Sequence, residues 1–298
     1  MSAREPIETL IEREFDELSP ELQRAARWVR SNGPVLALRS MRSAAVQAGV
    51  SPATMTRLAR RLGYASFGAL REPYVDRLAS GTALPALPYA RRARATQRRD
   101  GDNQLGALAQ MHAANVAAVA RRNGAAALAR AADRLLRAER VHFLGLRVCH
   151  GVAFQLHYVY GLLCANGVLL TDLGGTLADQ VAQIGRGHVL AAISQSPYTR
   201  ATVEAVHQAQ AQGAGVIALT DDALSPIARA ADHTLVFDTA SNSFFHSTTG
   251  ALALVEQLLA AVSARGGNAV LRRLRERQRQ LHASRAYWEA PRNAHNPR

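Results

Sequence analysis

Residues 193–200, ISQSPYTR, follow an apolar run at 189–193 and lead into a segment of helical periodicity. Ser194, Gln195, Ser196 and Thr199 thus gather three hydroxyls and a carboxamide where a strand ends and a helix starts. At such a place side-chain donors join backbone N–H groups at the positive end of a helix, an arrangement that attracts phosphate or carboxylate. A second group lies near the N-terminus: Arg42, Ser51, Thr54, Thr56, Arg57, Arg60 and Arg61, with no carboxylate between residues 42 and 64. Hydroxyls and guanidiniums are the groups that meet base edges and phosphates in a major groove. His150, His157 and His246 could suggest a metal or acid–base cluster, but no carboxylate joins them at ligand spacing, so structural histidines and no metal or cofactor are expected. Cys149 and Cys164 are the two cysteines, too few for a disulfide framework. At a helix start Cys149 would have a lowered pKa, although no partner cysteine stands beside it.

The elements that must position these residues follow from periodicity. Short apolar runs at 141–144, 168–170, 189–193, 216–219 and 235–237 alternate with amphipathic segments such as 152–163 and 201–212. That alternation predicts an α/β domain with a mainly parallel sheet. Open parallel sheets bind ligands beyond the carboxyl ends of their strands. The residues there are Gly145, Arg147 and Cys149 after the first run, and Thr171, Asp172, Gly174, Gly175 and Thr176 after the second. Ser194, Gln195, Ser196 and Thr199 follow the third, Thr220, Asp221 and Asp222 the fourth, and Ser241, Asn242, Ser243 and His246 the last. Hydroxyls and amides dominate, as a polyol site requires. Arg147 has two readings: it clamps an anionic group bidentately, or it pairs with Asp172 and fills the pocket.

Residues 42–64 read as a helix-turn-helix. Ala44, Ala45 and Ala48 give one short helix an apolar face, Gly49 allows a left-handed turn, and Ser51 with Pro52 caps and opens the next helix. Met55, Leu58, Ala59 and Leu62 recur at helical spacing, which leaves the polar residues named above on the opposite face. Two further helices are expected over 103–138, split near Asn123-Gly124, another over about 247–263, and an Arg-rich amphipathic helix over 268–288 that could touch DNA, meet a partner subunit or remain solvated.

Charge supports the division. The chain carries a net charge of +13 and no Lys. Residues 1–99 hold 17 Arg against 9 acids, residues 100–262 hold 10 against 12, and residues 263–298 hold 9 against 2. Basic ends around a near-neutral body imply a polyanionic partner, with nucleic acid the leading one. The acidic first residues lack an apolar signal core and no run of about 20 apolar residues occurs, so a cytoplasmic protein is expected.

The stretches FDELSPELQRAARWVRSN and MRSAAVQAGVSPATMTRLARRLGYASFGALR resemble the N-terminal domain of the RpiR (MurR/HexR-like) family of bacterial transcriptional regulators, most specifically from Ser51 to Phe67. The family joins this domain to a sugar isomerase (SIS) domain that senses phosphosugars. The resemblance implies an all-α helix-turn-helix domain over 1–79, a linker over 80–102, an α/β SIS domain over 103–265 (three-layer α/β/α, five strands), and an Arg-rich helix and tail over 266–298. It implies a regulator, with repression the expectation, that binds double-stranded operator DNA as a homodimer or homotetramer and answers to a phosphosugar or other anionic metabolite. Ser194, Gln195, Ser196 and Thr199 fall on the polar positions of the family's S-x-S-G-x-T motif. Two positions depart from the pattern: Pro197 stands where the family has Gly, and the first loop, usually G-x-G-x-S, is Gly145-Leu146-Arg147-Val148-Cys149. The alternative is a sugar-phosphate isomerase, whose base would be His246 or, less well placed, Glu204.

Overall fold

Apolar residues recurring at three- and four-residue intervals, interrupted by Ser, Pro and Gly, make the N-terminal region helical. The computed structural model describes residues 7–37, 39–79, 89–97 and 101–288. Two units are distinguished: residues 1–109 with 241–245, and residues 110–240 with 246–298.

In the first unit, helices α1 (Ile7–Glu14), α2 (Pro20–Ser31), α3 (Gly33–Ala37), α4 (Met41–Ala48), α5 (Pro52–Arg61) and α6 (Phe67–Ala79) succeed one another. Their core is built from Ile7, Ile11, Phe15, Val29, Leu36, Met55, Leu58 and Leu70, all fully buried. The stretch expected as a linker differs from expectation, because α7 (Tyr89–Gln97) forms within it. Tyr89 stacks on Phe245 with ring centroids 5.1 Å apart, and Arg92 donates to the Ser241 carbonyl at 2.9 Å. Residues 80–88 and 98–100 lie outside the described residues.

The second unit is a doubly wound sheet. After α8 (Gly101–Arg137) come β1 (Arg140–Gly145), α9 (Cys149–Leu163), β2 (Gly167–Leu170), α10 (Leu177–Ala182), β3 (His188–Ser194), α11 (Arg200–Ala211), β4 (Gly215–Thr220), β5 (His233–Val236), α12 (Thr249–Arg265) and α13 (Gly267–Ala283). The strand order is β2-β1-β3-β4-β5 and each pairing is parallel. Strand alternation divides the core. Val189, Ala191 and Ile193 face one layer with residues of α8, α9 and α12, while Leu190 and Ala192 face the other with α10 and α11. The expected split in the long first helix falls at Gly124, whose φ of 62° and ψ of 158° are not helical. Beside it, the Asn123 carboxamide donates to the Val236 carbonyl at 2.8 Å and accepts the Val236 N–H at 2.6 Å. Among the described residues no helix is long and apolar enough to cross a membrane.

Candidate functional site

Residues 41–61 form two helices joined at 49–51, as their residues dictate. Gly49 closes α4 in the left-handed region at φ 65°, and the Val50 N–H returns to the Ala45 carbonyl at 3.0 Å. The Ser51 hydroxyl accepts the Thr54 N–H at 3.1 Å, capping α5, with Pro52 at its first position. Met55, Leu58 and Ala59 are buried, whereas Arg42, Ser51, Arg57 and Arg60 are exposed and Thr56 is partly so.

Two of the seven candidates differ from expectation. Thr54 is 2 % exposed and so belongs to the interior, its hydroxyl 2.9 Å from that of Ser51 and accepting from Arg57 at 3.3 Å. Helical side chains lean toward the N-terminus, which draws a residue in the first turn back onto its cap. Arg61 is tied to Glu17 at 2.6 Å and Glu14 at 3.1 Å, so its charge is spent within the unit. Arg61 is exposed as well, so Arg57 and Arg60 are left as the guanidiniums of α5 with no ion pair among the described residues.

The second site lies where the strand order reverses, between β1 and β3, the position at which an open parallel sheet leaves a crevice. Gly145 ends β1 because a Cβ there would meet the Cys149 carbonyl and fall 2.9 Å from the Ala153 Cβ. Arg147 turns the chain at φ 54° and stands exposed before α9. Arg147 and Asp172 form no ion pair, which removes the pocket-filling reading; Asp172 is exposed after β2.

At the β3 exit Ser194 and Gln195 are buried, while Ser196 is exposed and Thr199 partly buried ahead of α11. The Thr199 hydroxyl makes no capping bond, and the Ser196–Pro197 peptide is cis. Gln195 is 5 % exposed, and its Oε1 has no hydrogen-bond partner in the protein. A buried acceptor in that state calls for a donor from outside the chain.

Cys149 corrects another expectation. It lies in the core layer of α9 at 5 % exposure, hydrogen-bonded to the Gln195 backbone, and burial pushes its thiol up to about 11. A thiol so placed is protonated at neutral pH, the opposite of an activated helix-start cysteine.

Asp221, expected at the exit of β4, and Tyr198, outside the expected set, complete the loop. The Asp221 carboxylate after β4 accepts the Ser196 N–H at 3.1 Å, and the Tyr198 side chain also hydrogen-bonds it. Burial raises its pKa, against the lowering by those bonds. The exits of β1, β3 and β4 are thereby joined through Cys149–Gln195 and Ser196–Asp221. His246 follows β5 and is partly buried. Glu204 is 60 % exposed and paired with Arg200 at 2.6 Å. It lines a cleft of about 240 Å³ between α10 and α11. Among the described residues no group of His, Cys, Asp and Glu could hold a metal ion.

Comparison with known proteins places this geometry among relatives. The SIS domain family model matches residues 134–261. The HTH-type transcriptional regulator HexR of Pseudomonas aeruginosa is 27 % identical over 223 residues, 74 % of each chain. The sugar isomerase domain of an RpiR transcription factor from Sphaerobacter thermophilus is 30 % identical, covering 58 % of this chain and 96 % of that one at a TM-score of 0.55. The Vibrio vulnificus NanR protein, solved with ManNAc-6P, shares the fold at 20 % identity and a TM-score of 0.59, covering 95 % of this chain and all of that one.

Proposed function

Since the chain belongs to the RpiR family of transcriptional regulators with a SIS domain, we propose that it binds operator DNA through α4 and α5 and senses a small anionic metabolite at the β1–β3 crevice. The observation that carries the reading is the pairing of an exposed Arg57 and Arg60 face on a capped second helix with an open hydroxyl loop at a sheet switch point. Ser51, Thr56 and Arg42 flank that face; Thr54 supports it from within, and Arg61 beside it is paired with Glu14 and Glu17.

For the effector, two backbone donors of the loop are unavailable. Pro197 has no N–H, and that of Ser196 is taken by Asp221. Recognition therefore falls to the hydroxyls of Ser196 and Thr199 and to Arg147, with buried Gln195 and Ser194 shaping the floor and Gly145 admitting the backbone turn. Asp172 follows the neighbouring β2 and His246 lies in the chain beyond β5, as further contacts of the reading. A phosphosugar or sugar acid suits this mixture of hydroxyl donors and one guanidinium. NanR, of the same fold, was solved with such a compound.

We read the chain as a sensor rather than a catalyst, because Glu204 is already held by Arg200 and an isomerase has no use for a helix-turn-helix. One recognition helix reads few bases, so a homodimer or homotetramer presenting two half-sites about 34 Å apart is part of the reading. Electrophoretic retardation of the duplex upstream of its own gene tests it. Sequence-selective, salt-sensitive binding that shifts on adding a hexose phosphate or sugar acid is expected. Equal retention of scrambled duplex would overturn it.

A further inference from the structure

Helix α13 carries five Arg, at 272, 273, 275, 277 and 279, against one acid, Glu276. One side of it is fixed to the second unit: Val270 is buried, Leu274 packs on the core layer, and the helix rests on α9 and α12. Arg273 and Arg277 are partly buried and engaged, Arg273 with Glu276 at 4.0 Å and Arg277 with Gln280 at 3.0 Å. Arg272, Arg275 and Arg279 are different. They recur at spacings of three and four, which puts them on one face, and that face lies opposite Val270, Leu274 and Leu281. All three are exposed, and among the described residues none has an ion pair or hydrogen bond.

Like charges at helical spacing repel one another, and among the described residues these three add no ion pair or hydrogen bond to the fold. The rest of this unit does not share the excess, since residues 100–262 hold more acids than Arg. We propose that this face of α13 is a second, sequence-independent contact surface for duplex DNA, with Arg272, Arg275 and Arg279 neutralising backbone phosphates. Charge complementarity selects the occupant. A duplex presents one negative charge per about 1.7 Å of axis, to which a rigid row of guanidiniums is matched. A second copy of the chain would bring the same positive face. A membrane-surface helix would need its apolar side free, and that side of α13 is given to the domain core.

The inference rests on the reading of the chain as a DNA-binding regulator, and the experiment separates the two. Affinity of the full chain is measured by fluorescence anisotropy for the upstream duplex and a scrambled duplex, from about 50 to 200 mM salt. The triple variant R272Q/R275Q/R279Q should weaken both duplexes alike, leave their ratio unchanged, and reduce the slope of log K against log salt by about 0.9 per lost phosphate contact, roughly 2.7 in all. The triple Arg→Lys variant should keep the slope. An unchanged slope in the Gln variant would overturn the surface, as would an equal fall per charge in the control R130Q/R186Q, whose arginines are exposed elsewhere on the unit. Loss of binding to phosphatidylglycerol vesicles with an unchanged duplex slope would assign the face to membrane instead. Absence of any salt-dependent duplex binding by the unmodified chain would remove the regulator reading and this one together, whereas intact upstream selectivity with no effect of the triple variant would remove this one alone.

Discussion

Asp221 sets the electrostatics of the hydroxyl loop at the level of single atoms. Its carboxylate holds the Ser196 N–H, so an anionic ligand at Ser196 and Thr199 meets a resident negative charge. Asp221→Asn keeps an acceptor for that N–H and removes the charge, and affinity for a hexose phosphate should rise on the order of tenfold by calorimetry at neutral pH. Because burial raises the Asp221 pKa, the unmodified chain should bind the anion better as pH falls through that range, and the variant should lose this component. On α5, Arg57→Ala should weaken duplex binding roughly tenfold with an unchanged circular-dichroism melt, since Arg57 is exposed and among the described residues its one bond is to Thr54. Much of this was legible in the residues: Gly49 as the turn and Ser51 as the cap follow from backbone chemistry alone. Thr54 is not legible from helical angle alone, because first-turn side chains lean back toward the cap and its hydroxyl meets that of Ser51. Cys149 carried a readable signal, since positions 149, 152, 153, 156 and 160 repeat at core spacing, but the loop motif overlapping it drew the residue to the wrong side.

Elements depend on a few local devices. Removing the Ser51 hydroxyl leaves the Thr54 N–H without its cap, and Ser51→Ala should cost about 1 kcal/mol in chemical denaturation, felt in the first unit. Gly145→Ala pushes a methyl group against the Cys149 carbonyl and the Ala153 side chain, at a cost of about 1–3 kcal/mol, and should also shift the turn that presents Arg147. Reduced effector response in a variant that still binds duplex would report that shift. Strand positions were legible because buried parallel strands read as unbroken apolar runs; each observed strand contains or overlaps its expected run, and the break at Gly124 falls where Asn-Gly announced it. Helices α7 and α10 were not foreseen. The six residues of α10 are too few to display a period, and the Arg-rich sequence of α7 shows no apolar stripe, its anchoring coming from Tyr89 and Arg92 against a loop distant in sequence.

At the scale of the whole molecule, charge segregation was visible from composition, and pH stability was not. His142 is buried in β1 with Nε2 3.3 Å from His188 Nδ1 in the neighbouring β3, and its pKa is pushed down to about 4 by burial, then by His188 and Arg140. The unfolded chain takes up this proton near pH 6.5, while the folded chain does so near 4. Stability is therefore full above about 6.5 and lost as pH falls toward 4. Thermal melts across that interval should show the loss, and His142→Leu should flatten it; an equally steep fall in the variant would assign the acid sensitivity elsewhere. The bond pair between Asn123 and Val236 has a consequence for crowded solutions. A terminal strand with free amides is a template on which another chain can polymerise, and at β5 the carboxamide already fills the outward N–H and carbonyl of Val236. Asn123→Ala should open that template, so that sheet-to-sheet fibres, detected by thioflavin fluorescence at high concentration, grow from the variant and not from the parent.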